Sequence, residues 1–175
     1  MNTKTLSILA LAAISLGAHA GVKPLTLVIG KSRAAAIKVL GIPISSKPMY
    51  GGAIQLFWKI PNALVCQAIE NRGTINTITV QGPADALNPV AALKSYGIAV
   101  HGQPAVKRIG AQTSTYNWVE GGYYVFLRRS MVEIYYDDLK PFHLPKGTFV
   151  YTVILKPGHP PKEGGGGGKG MMPES

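Results

Sequence analysis

Apolar residues follow three kinds of pattern along this chain, and each predicts a different element. The first is an apolar run over residues 6–16, interrupted only by Ser7 and Ser15, behind a short start carrying Lys4 and ahead of Gly17 and the small-x-small triplet Ala18-His19-Ala20. That order predicts a secretory signal peptide over residues 1–20, cleaved after Ala20. The run is about 11 residues, against roughly 20 for a bilayer-spanning helix, which disfavours an uncleaved anchor. Gly21 follows the cut, not Cys, so no lipid-modified N-terminus is indicated, and no later run predicts a transmembrane segment in the mature chain.

The second pattern is helical and occurs twice. Residues 32–42 read Ser-Arg-Ala-Ala-Ala-Ile-Lys-Val-Leu-Gly-Ile, and residues 88–98 read Asn-Pro-Val-Ala-Ala-Leu-Lys-Ser-Tyr-Gly-Ile. The pairs Ala35/Ala91, Ala36/Ala92, Lys38/Lys94, Gly41/Gly97 and Ile42/Ile98 are identical. Ser32 and Asn88 are N-cap types, whose side chains accept a bond from an orphan N–H of the first turn. Pro89 suits the first helical position, and Gly41 and Gly97 suit a left-handed exit. Ala36, Ile37 and Leu40 share a side, as do Ala92, Leu93 and Tyr96, and these stripes predict packing on a sheet.

The third pattern is strand-like. Residues 53–59, 64–70 and 74–80 predict three strands, the last two joined at Asn71-Arg72-Gly73; in the third, alternation is imperfect. Residues 113–119 predict another, followed by a Gly121-Gly122 turn, a strand over 123–127, a tight turn at Arg128-Arg129-Ser130, and a strand over 131–136. Trp58 and Trp118 fall in corresponding strands. The expectation is an α+β fold of two tandem repeats, each a helix plus a three-stranded antiparallel meander, over residues 21–82 and 83–156. An extra C-terminal strand over 148–155 belongs to the second. Residues 157–175, rich in Gly and Pro, have no apolar face to bury and predict a disordered tail.

Charge narrows the partners. The chain holds 18 Lys+Arg and 8 Asp+Glu; without Lys4 of the signal the balance is 17 minus 8, or +9. An excess of that size favours an acidic protein or an anionic envelope component. The mixture of basic and aromatic residues also suits single-stranded nucleic acid, but export argues against a nucleic-acid partner. The one cysteine, Cys66, lies in an apolar strand-like run and reads as a small buried hydrophobe. No Cys/His spacing predicts a metal site, and no cofactor fingerprint occurs.

Signs of catalysis are sparse. No nucleophile signature of the G-x-S-x-G type is present. His143 with Asp137 or Asp138 is the one plausible acid–base set, and it would serve a small extracytoplasmic hydrolase-type enzyme. For binding the material is richer. Tyr116, Trp118 and Tyr124, with Arg128 and Arg129 and with Lys107 and Arg108 before them, supply residue types that dominate interface hot spots.

Gly30, Ser32, Leu40, Gly41 and Pro43 stand at the spacing of the opening helix of the SmpA/OmlA (BamE-like) family of outer-membrane assembly proteins, which this stretch resembles. The resemblance implies a helix followed by a three-stranded meander. A tandem of two such units resembles the beta-lactamase inhibitor protein, and it implies binding through a sheet face or loops rather than catalysis. The chain departs from the SmpA/OmlA pattern in lacking the lipid-modified cysteine and in carrying two units. The function expected is that of an exported, non-enzymatic binding module of the cell envelope, periplasmic or secreted.

Overall fold

The structure, a computed structural model, describes residues 22–84, 88–131, 144 and 147–158. Among them are two short helices, α1 (Arg33–Leu40) and α2 (Pro89–Ser95). The strands are β1 (Ser45–Pro48), β2 (Ile54–Trp58), β3 (Val65–Asn71), β4 (Thr74–Pro83), β5 (Val106–Ile109), β6 (Thr113–Val119), β7 (Tyr123–Met131) and β8 (Phe149–Pro157). All eight form one antiparallel sheet in the order β1-β2-β3-β4-β8-β7-β6-β5.

Alternation within the strands assigns the two faces of this sheet. Leu56 and Trp58 of β2, Cys66 and Ala68 of β3, and Ile78 and Val80 of β4 are buried on one face. The register carries that face on through Val153 and Leu155 of β8, Val125 and Leu127 of β7, and Trp118 of β6. Both helices pack here, contributing Ala36 and Leu40 from α1 and Ala92 and Leu93 from α2 to one continuous core. Polar contacts seat them: the Trp58 indole N–H donates to the Gly41 carbonyl at 2.8 Å, and the Tyr96 hydroxyl lies 3.4 Å from the Pro83 carbonyl.

This architecture corrects the expected α+β tandem. The molecule is mostly β: one eight-stranded antiparallel sheet and two short helices, not two helix-plus-meander repeats. The physical reason is the β4–β8 pairing, six residues long from Ile78↔Leu155 to Pro83↔Val150, which joins the last strand to the middle of the chain. The BamE-like resemblance falls with it, and so does the tandem likeness to the beta-lactamase inhibitor protein. The residues that carried it are helix punctuation: Ser32 Oγ accepts from the Ala35 N–H at 3.3 Å, and Gly41 leaves α1 at φ 86°. Such capping chemistry recurs in unrelated folds.

Local corrections follow the same logic. Arg128, Arg129 and Ser130 are not a turn but the continuation of β7, paired residue by residue with β6 and β8. Of the strand expected over 131–136, Met131 ends β7 and the rest lies outside the described residues, as do the signal peptide at 1–20 and most of the tail.

Candidate binding face

The second face of the sheet carries no helix among the described residues. One row of paired side chains crosses every strand on it: Ser45, Phe57, Gln67, Thr79, Ile154, Phe126, Asn117 and Val106. From Phe57 to Val106 these side chains are half-buried, in contrast to the closed core on the other side. Tyr124 and Lys156 face each other one position along, and Lys47 lies beside Phe57 at the opposite edge. Towards the far end Gln81, Ser130 and Val150 are buried.

Two contacts order the β1–β3 side of this face. The Lys47 ammonium sits 5.6 Å from the centre of the Phe57 ring, a cation–π distance. Gln55 Nε2 donates to Gln67 Oε1 at 2.7 Å. Among the described residues the face carries charge of one sign. Lys47, Arg108, Arg128 and Lys156 are on it, and none of its described strand residues is acidic. The two carboxylates among the described residues are engaged elsewhere. Glu70 faces the helices and lies 4.0 Å from Arg33, and Glu120 sits in the β6–β7 turn 2.9 Å from His101 Nδ1. Glu120 also accepts the His101 backbone N–H at 2.8 Å, which ties the chain after α2 to that turn.

The seven residues singled out from sequence divide between the faces. Tyr124, Arg128 and Arg108 belong to the second face. Tyr116, Trp118, Arg129 and Lys107 belong to the helix side. Trp118 is only 1% exposed and stacks with Tyr116 at 6.0 Å between ring centres, so it is core and offers no surface. Arg129 lays its guanidinium 3.5 Å from the Phe149 ring centre. Lys107 and Arg108 are exposed on the edge strand β5. Sequence reasoning missed Phe57, Phe126, Lys47 and Lys156. For the two phenylalanines the signal was present: each occupies the position between core residues of its strand, so period-2 alternation turns it to the other face.

Other chemistry gathers little support. His143, Asp137 and Asp138 lie outside the described residues. Among the described residues no group of three or more His, Cys, Asp or Glu is placed to hold a metal ion. Cys66 is a free, buried thiol, and burial pushes its pKa up to about 12, away from nucleophilic use at neutral pH.

No helix of the described residues is long and apolar enough to cross a membrane. No family model matches the chain, and no curated protein matches it in sequence. Among solved structures it is similar to an extracellular protein containing a SCP domain from Bacillus anthracis str. Ames, at 11% identity and a TM-score of 0.36. The match covers 82% of this chain and 53% of that one, so the chain spans about half the length of that protein. A likeness of that size fixes neither fold nor activity.

Proposed function

We propose that this chain is an exported, non-enzymatic binding protein whose second sheet face engages an acidic protein partner. Export rests on the charged, apolar, small-residue order of residues 1–20. Binding rests on one observation: the second face combines half-buried aromatics with cations and has no described carboxylate. Phe57, Phe126 and Tyr124 are rigid anchors that gain from burial, and their strands already hold them in place. Lys47 and Lys156 are exposed and set the sign of the partner through complementary potential.

Size is adequate. Eight strands at about 4.8 Å spacing reach about 34 Å, and the strand lengths make the face on the order of 700 Å². A standard interface takes about 800 Å² from each partner.

The test uses the mature chain, residues 21–175, as bait for an envelope extract at low and near-physiological salt. A protein retained at both salts is identified, purified and titrated against wild type, Phe57→Ala/Phe126→Ala, and Lys47→Glu/Lys156→Glu. The reading expects an acidic protein whose affinity falls at least tenfold in both variants. Equal affinity in all three overturns it, as does retention of many acidic species at low salt alone.

A further inference from the structure

The sheet ends at two edges, and they differ in a way that bears on the partner. β1 contains Pro48, which has no N–H to donate, and its four residues are all exposed. β5, residues Val106–Ile109, contains no proline and pairs only with β6 among the described residues. It is tied to β6 at both ends: the Gly110 N–H donates in register to the Thr113 carbonyl at 2.9 Å, and the Ala105 N–H donates at 2.7 Å to the carbonyl of Asn117, the residue that pairs with Val106, so the register slips by one there. In an antiparallel ladder inward and outward residues alternate. Since Gly110 bonds inward, Val106 and Arg108 do too, and Lys107 and Ile109 turn their N–H and C=O groups outward.

Such an edge is a template for another strand. Its side chains restrict which strand. Lys107 and Arg108 are adjacent cations on a molecule of formal net charge +10, so a second copy would bring like charges together. An acidic segment would bring opposite ones. Ile109 is 68% exposed and adds an apolar contact at the end of the edge.

We infer that β5 is a strand-addition site for an extended acidic segment of the partner, running antiparallel with an apolar residue opposite Ile109 and acids opposite Arg108 and Lys107. The inference rests on the reading above for the sign of the partner's charge. It concerns the backbone edge of β5 and not the part of the face around Phe57 and Phe126, so the two can fail separately.

The probe is the blocked peptide acetyl-Thr-Val-Glu-Glu-Val-Thr-amide, titrated into isotopically labelled mature chain and followed by amide NMR shifts. Saturable shifts are expected at the Lys107 and Ile109 amides. Lys107→Glu, and Ile109→Pro with its outward N–H removed, should each weaken binding at least tenfold. Proline is tolerated at such an edge position, and retained tryptophan fluorescence checks the fold. The Phe57→Ala/Phe126→Ala protein should bind the peptide like wild type. No saturable shift overturns the site, as do shifts centred on Phe57 and Phe126, equal binding by a peptide with lysines in place of the glutamates, or unchanged affinity in Ile109→Pro. None of these results touches the sheet-face reading. Sedimentation of the free protein supplies a further check: dimerisation lost in Ile109→Pro would assign the edge to a second copy and overturn the acidic segment.

Discussion

Cys66 shows at the scale of one residue how position decides chemistry. It is 2% exposed on β3, opposite Trp58 on one side and Val80 on the other. The apolar run around it made that burial legible in sequence, because apolar neighbours in alternation leave a small side chain no polar environment to enter. Burial disfavours the thiolate and raises the pKa from 9.0 to about 12. A thiol raised in the folded state contributes stability that is full below the unfolded value, near 9.0, and is lost as pH climbs through about 12. Two outcomes follow. At pH 8 a disulfide exchange reagent should label the native protein only as fast as it opens, and denaturant should accelerate labelling by orders of magnitude; fast native labelling would show the site to be open. In urea titrations the midpoint should fall between pH 9 and 11 in wild type by more than in Cys66→Ala.

At the scale of the element, local punctuation was easier to read than pairing. Both helices begin where their caps predicted: Asn88 Oδ1 accepts from the Val90 and Ala91 N–H groups at 3.0 and 3.3 Å, as Ser32 does for Ala35. β1 and β5 were not legible, because Ser-Ser-Lys-Pro and Val-Lys-Arg-Ile show no alternation and are strands only through their neighbours. β4 confused the period for a definite reason. The register shifts opposite Ile69/Glu70, so Ile75 and Ile78 are both buried with one extra residue between them, a bulge. The turn expected at Arg128-Arg129-Ser130 is strand instead, with Arg129 accommodated in β7 against the Phe149 ring. The β4–α2 contact invites a test. A Cβ added at Gly82 would collide with the Tyr96 hydroxyl oxygen and would lie 2.8 Å from Tyr96 Cζ and 2.9 Å from the Asn62 carbonyl. Gly82→Ala should therefore cost about 2 kcal/mol through overpacking. Adding Tyr96→Phe removes the nearest colliding atom and should recover part of the loss, measured as a non-additive term in a double-mutant cycle. Strict additivity would mean that α2 does not pack on Gly82 as described.

At the scale of the molecule, internal similarity and folding unit are different things. The likeness of residues 32–42 to 88–98 reports on caps and small helical residues, which sequence displays directly. It says nothing about which strands meet, and the pairing of β4 with β8 is a contact between residues some 70 apart that no local pattern encodes. For the second face the limit was similar: Phe57, Phe126 and Lys47 could be assigned to one surface only after the strand order was known. One sheet over one core should unfold as one unit. The two tryptophans test this, since Trp58 and Trp118 are both buried, on β2 and on β6, at 4% and 1% exposure. Trp118→Phe leaves a reporter on the first half and Trp58→Phe one on the second. Leu127→Ala, in β7 and fully buried, should cost about 2–5 kcal/mol. If the sheet is one cooperative structure, adding Leu127→Ala to either single-tryptophan protein lowers its urea midpoint and leaves one transition with an unchanged slope. If the halves fold independently, the loss reaches only the Trp118 reporter and Trp58 melts at its former midpoint. The six-residue β4–β8 ladder is what carries a defect in β7 across to β2, and the first outcome is the one expected.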